Sequence, residues 1–247
     1  MYSATHKRII LVTSASESVG AEVAQQFSGV DTHVLVNYHR SDADRAELVA
    51  KAIRARGGHA TTICADVSDE ADTAAMVDAI ATRFGRLDTV VLNASGDVEP
   101  GADAGDSMRR YRDAHRRLTR LAIPLMPIGG HVVFVTNHQA HFFPNKAVPK
   151  GFAAVAAGQR ASETALYSLH AELDRARIRY TVVSGSMFDQ TIEERLVQRG
   201  AAAPADTRHD RAPSSAVHAV TTAVVDAASA DHPSSIVFVG TDFPKSA

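Results

Sequence analysis

Cysteine is almost absent: Cys64 is the single one in 247 residues. No internal disulfide can staple the chain, and the apolar run around Cys64 predicts a buried thiol. Long apolar runs are missing too. None approaches the ~18 residues needed to cross a bilayer, and the opening MYSATHKR lacks the apolar centre of a secretory signal. Secretion and membrane insertion are therefore not expected, and the chain reads as cytoplasmic. Net charge is also small, −2, so no global field recruits nucleic acid or an anionic membrane. The expected partner is a small molecule.

What the chain has is apolar content, 45% of its residues, enough for a large core in one domain spanning 1–247. Seven short β-branched runs recur: RIILVTS, HVLVNY, ATTICAD, TVVLNAS, HVVFVTN, RYTVVSG and SIVFVG. Near-continuous apolar runs of this kind are strands buried on both faces of a parallel sheet. Between them lie AEVAQQFS, DRAELVAKAIRARGG, DTAAMVDAIATRFG, SMRRYRDAHRRLTRLAIPLM and AAVAAGQRASETALYSLHAELDRA, each with helical spacing. Asp69 and Asp72 stand where a helix N-terminus gains from carboxylates. The alternation predicts an α/β, Rossmann-like, doubly wound parallel sheet of about seven strands with helices on both faces. The stretch 186–215, rich toward its end in Ala, Pro, Asp and Arg, reads as a surface loop or lid.

Several motifs then fall in order. TSASESVG, Thr13 to Gly20, turns the first strand into a helix; ADVSDE follows the third strand, LNASG the fourth, and GGHVVFVTN and AELDRARIRYTVVSGS lead through the fifth and sixth. Together they resemble the short-chain dehydrogenase/reductase family over nearly the whole chain. The resemblance implies a dinucleotide held by Thr13, Ser14, Ser16, Ser18, Val19 and Gly20. Asp66 and the Val67 backbone would take the adenine, with Asn93 after the fourth strand and Thr191 toward the carboxamide. Asn37, followed by His39 and Arg40, suits a 2′-phosphate, so the implied nucleotide is NADP(H). A basic residue at a strand end can also simply be solvated.

The chain departs from that family where chemistry is expected. The family's tyrosine and lysine positions fall on Val155 and Gln159, and Phe152, seven before Gln159, is the one aromatic nearby. A phenyl ring cannot transfer a proton, and an amide carries no charge to lower a neighbour's pKa. The serine position falls on Asn137, which can still hold an oxygen. The relay asparagine is replaced near Tyr111. In the loop, serines stand at glycine positions, Glu17 places a carboxylate beside phosphates, and Gly185-Ser186 replaces Pro-Gly. Binding of NADP(H) is expected to be weakened or lost.

His138 and His141, in TNHQAHFF, follow the fifth strand, whose carboxyl end borders the ligand crevice in such sheets. Either can serve as acid or base near neutral pH; either can equally be a packing residue. Their spacing gives no metal signature. Asp189 is a rim candidate, and Phe142, Phe143, Phe152 and Phe188 could wall an apolar site or pack an ordinary core. The catalytic candidates are thus Asn137, His138, His141, Phe152 and Gln159. The leading reading is a non-redox enzyme performing cyclisation, isomerisation or dehydration on a small carbonyl metabolite. The alternatives are an NADP(H)-dependent oxidoreductase with an unusual proton donor, and a silent binding subunit. The resemblance implies a homodimer or homotetramer.

Overall fold

The structure is a computed structural model that describes residues 8–93, 104–148, 152–186, 215–229 and 235–240. Phe188, Asp189, Thr191, the Tyr111 side chain and all but the ends of the 186–215 stretch lie outside the described residues.

Seven strands form, as the apolar runs predict: β1 Arg8–Val12, β2 Thr32–Tyr38, β3 His59–Cys64, β4 Thr89–Asn93, β5 His131–Asn137, β6 Arg179–Gly185 and β7 Ser235–Val239. They make one parallel sheet in the order β3-β2-β1-β4-β5-β6-β7. The chain winds outward from β1 in one direction, then from β4 in the other, so the winding reverses between β1 and β4. Helices α1 Ser18–Gln26, α2 Ala43–Ala55, α3 Glu70–Phe84, α4 Ala104–Ala122, α5 His138–His141, α6 Ala153–Tyr167, α7 His170–Ala176 and α8 Ser215–Ser229 cover it.

Strand side chains alternate between the two faces, which divides the core in two. Ile9, Leu11, Val90, Leu92 and Phe134 pack with Met76, Ile80, Leu118 and Leu166 from α3, α4 and α6. Ile10, Val12, Val34, Val36 and Val133 face the other way, against Val23, Ile53, Val220 and Val224 from α1, α2 and α8. Removing each such side chain from water contributes about 1.5–3 kcal/mol. Because both faces are covered, the strands need apolar residues at every position. That is why their runs are continuous rather than alternating.

Two expectations are corrected, and one helix is added. Cys64 is exposed, not buried, because it ends β3 and faces a cavity instead of either helix layer. The long helical run after residue 152 divides into α6 and α7. Leu169 N–H bonds Leu166 O, three residues back, and the tighter turn re-aims the chain. Helix α8, for which no helical pattern was read, crosses between β6 and β7. Asp69 does cap α3, its carboxylate accepting from Asp72 N–H at 2.9 Å.

Two buried histidines make the fold acid-sensitive. His115 on α4 packs edge-on against Phe134 at 5.6 Å, and His131 on β5 meets Thr181 Oγ1 at 2.9 Å. Burial lowers both from 6.5 to about 4, with Arg179 and Arg8 adding repulsion at His131. The unfolded chain therefore takes up protons below pH 6.5 that the folded chain refuses until about pH 4. Stability is full above that window and is lost as pH falls through it, by about 2 kcal/mol per histidine at pH 5. Urea midpoints at pH 7.5 and pH 5 check this. His131→Gln should flatten the pH dependence.

Candidate active site

The carboxyl ends of the strands carry two groups of residues named from the sequence. The first surrounds the β1–α1 turn. Thr13 Oγ1 accepts from Asn93 N–H at 3.0 Å, and Ser14 N–H donates to Asn37 Oδ1 at 3.2 Å. The Asn37 amide also donates to the Ile63 and Ala65 carbonyls, so this buried residue clamps the turn to β2 and β3. Asn93 Nδ2 donates to Ser14 O at 3.4 Å. Ser14 and Ser18 have φ of 48° and 50°. These left-handed values cost a non-glycine residue roughly 1–2 kcal/mol each, yet the braced turn holds them there. The backbone thus keeps a glycine-type path although the side chains are serine. Ser16 and Val19 are buried beneath the turn and Ser18 is exposed.

Gly20 is required by contact. A Cβ there would stand 2.2 Å from Ser14 O and 2.9 Å from Asn93 Nδ2, closer than real atoms approach. Glu17, read as a repulsive charge beside phosphates, pairs with Arg45 on α2 at 3.0 Å. That pairing offsets part of the repulsion.

Beyond β2 and β3 opens a cavity of about 330 Å³ lined by His39, Arg40, Cys64, Asp66, Asp69 and Asp72. His39 and Arg40 are exposed. Asp66 accepts from Ser68 N–H at 2.8 Å, and the Val67 carbonyl accepts from Thr73 Oγ1 at 3.1 Å. The cradle therefore fits an adenosine phosphate: a tight turn at a helix N-terminus, then a cavity with a cation and carboxylates at the next strand ends.

The second group lies where β5 and β6 end. Asn137 caps α5, accepting from Ala140 N–H at 2.8 Å, and its Nδ2 donates to Gln159 Oε1 at 2.7 Å. The two residues that the sequence reading set at the family's serine and lysine positions are thus bonded to each other. Nδ2 carries two hydrogens, so a second can be donated to a substrate oxygen. His138 is buried with Nδ1 2.9 Å from Ser184 Oγ. His141 has Nδ1 2.9 Å from Glu163 Oε1 and 3.0 Å from Oε2, and Glu163 also accepts from Arg160 at 2.9 Å. Phe152 packs with Ala140 and Ala156, flanked by Phe143, Val148 and Val155. Phe142 stacks on Phe238 of β7 at 5.7 Å and 9°, and His141 meets Phe238 edge-on at 5.2 Å. Gly185 is fixed by packing, since a Cβ would stand 2.3 Å from Val220 of α8.

Sequence reasoning missed Glu163, Arg160 and Phe238. The signal for Glu163 was its place four residues after Gln159 on a helix already assigned to the site. Among the described residues no three His, Cys, Asp or Glu side chains are grouped to hold a metal, and no helix is long and apolar enough to cross a membrane.

A parallel sheet with a glycine-type turn at its reversal point and polar groups at the β5 and β6 ends defines the dinucleotide-binding class of α/β fold. The chain belongs to the short chain dehydrogenase family, whose model matches residues 8–200. Its curated relatives include oxidoreductases. An uncharacterized oxidoreductase of Methylorubrum extorquens is 38% identical over 105 residues, 42% of each chain. Versicolorin reductase 1 of Dothistroma septosporum is 32% identical over 150 residues, 58% of this chain and 55% of that one. The chain thus spans about half the length of these relatives. Angucycline C-6 ketoreductase LanV with bound NADP superposes with a TM-score of 0.72 at 21% identity, over 96% of both chains. At that identity the likeness is one of fold.

Proposed function

We propose that the protein is an NADP(H)-dependent oxidoreductase that interconverts a ketone and a secondary alcohol on a small polycyclic molecule. The observation that carries this reading is the β1–α1 turn. Its serines hold left-handed backbone angles and Gly20 keeps the close approach, so the path that suits a pyrophosphate persists without the usual glycines. Thr13, Ser14, Ser16, Ser18, Val19, Gly20 and Asn93 would hold the pyrophosphate side. His39 and Arg40 would take the 2′-phosphate, and Asp66 with Val67 the adenine. Bound there, the cofactor supplies or accepts a hydride. Asn137 orients the substrate oxygen through its second Nδ2 hydrogen, and the stacked Phe142 and Phe238 rings offer a flat apolar seat for a planar substrate. The name of the relative versicolorin reductase 1 agrees with a reductase reading. The same reading keeps a homodimer or homotetramer as the assembly.

Non-redox acid/base chemistry on a carbonyl compound is the second reading. Gln159 and Val155 favour it, since the first carries no charge to lower a neighbour's pKa and the second no hydroxyl to transfer a proton. One assay separates the two: NADPH oxidation is followed against a panel of polycyclic aromatic ketones. Ketone-dependent oxidation supports the oxidoreductase. Conversion of the same ketones without nucleotide supports the non-redox enzyme and contradicts the first.

A further inference from the structure

Asn137 and His141 are four residues apart, and so are their partners Gln159 and Glu163 on α6. The two pairs form parallel rungs between the β5–α5 segment and α6, about one helical turn apart. The first rung joins the two residues that the sequence reading set at the family's serine and lysine positions. The second joins a histidine to a carboxylate that has no exposed surface at all. His141 itself retains 9% exposure, so this rung reaches the site through the ring and is sealed behind it.

Among the described residues, the charged and titratable groups around the His141–Glu163 pair are Arg160 and, one turn further along α6, Tyr167, with His138 at the start of α5 and the buried Tyr180 of β6, whose phenol is pushed well up by burial and then by the Glu163 charge. Among the described residues of β7, His141 meets the uncharged ring of Phe238. Arg160 bonds the same Glu163 oxygen that His141 approaches, supplying the positive partner a buried carboxylate needs. Burial, and then the Glu163 charge, push the Tyr167 phenol up to about 12, so Tyr167 stays protonated beside it. A buried ion pair is often no more stabilising than an apolar pair of similar volume. Pinning α5 to α6 therefore does not call for a sealed charge, whereas orienting an imidazole does.

We propose that Glu163 is a positioning residue that makes His141 the proton donor of this site, in place of the missing tyrosine. This rests on the oxidoreductase reading. The Glu163 carboxylate accepts Nδ1–H, fixes that tautomer, and leaves Nε2 as the nitrogen that exchanges protons with substrate. As the carbonyl carbon gains the hydride that a bound nicotinamide would supply, the C=O π pair would become an alkoxide lone pair. Protonated His141 gives its Nε2 proton to that oxygen and is left neutral. The alcohol leaves, and water returns the proton to Nε2. Oxidation runs the same transfers in reverse.

The test pairs kinetics with an observation that needs no turnover. In Glu163→Gln, kcat should fall roughly 10- to 100-fold, with KM and NADPH affinity unchanged and the pH profile of kcat/KM displaced toward acid as the negative charge is lost. A kcat within about threefold of the wild type and an unmoved profile would overturn the proposal. Independently, ¹⁵N spectra of histidine-labelled wild-type protein without nucleotide should show His141 protonated at Nδ1, and Glu163→Ala should lose that signal. A wild-type His141 bare at Nδ1 overturns the proposal even if the variants do not fold. Failure of NADPH to bind would instead remove the oxidoreductase reading, and the spectra would still decide the role of Glu163.

Discussion

His141→Phe should lower turnover by about 10²- to 10⁴-fold, the span over which a positioned acid or base contributes, while the affinity for NADPH stays within error. Phenylalanine keeps the ring and its edge-on contact with Phe238 but has no nitrogen to carry a proton. The variant leaves Glu163 buried opposite an apolar ring, with Arg160 still bonded to it, so a modest loss of stability accompanies the loss of activity. Measuring kcat, KM and the thermal midpoint together separates these effects. A variant that stays folded, binds NADPH and turns over at the wild-type rate would show that the proton comes from elsewhere.

Gly20→Ala should act at the opposite end of the site. The added Cβ would press on the Ser14 carbonyl at 2.2 Å and the Asn93 amide at 2.9 Å. The first is backbone, already held by Asn37 and Asn93, so the turn itself must shift. Overpacking of this kind costs about 1–3 kcal/mol of stability. The turn that cradles the pyrophosphate would lose its shape, and NADPH affinity should fall about 100-fold or more, equivalent to about 2.7 kcal/mol. Calorimetric titration checks the affinity and urea unfolding checks the stability. Wild-type affinity in Gly20→Ala would mean that the turn does not contact the nucleotide.

The fold was legible because a sheet covered on both faces leaves continuous apolar runs, and those survive any change at the strand ends. The site was less legible. Side-chain identity alone made Ser14, Ser18 and Glu17 look like damage to a phosphate loop. Backbone angles and the Arg45 partner of Glu17 are properties of the folded chain, and they change what those residues mean. Asn37 was read at the nucleotide's edge, and the folded chain adds that its amide bridges the turn to β2 and β3. Cys64 looked buried because its neighbours are apolar, but the last residue of a strand escapes the helix layers. His141 was visible from its place after β5. Glu163 carried only a weak mark, its place one helical turn after Gln159, and its pairing with His141 spans two segments that the sequence does not bring together.

Cys64 provides the most direct test of whether the cavity beyond β2 and β3 holds NADPH. It is the single cysteine of the chain and lines that cavity with His39, Arg40 and Asp66, so the rate of its alkylation by iodoacetamide reports on one place only. NADPH bound there predicts saturable protection of Cys64 at micromolar NADPH, with NADH protecting far more weakly because it lacks the 2′-phosphate that His39 and Arg40 would meet. An alkylation rate unchanged at millimolar NADPH would contradict it.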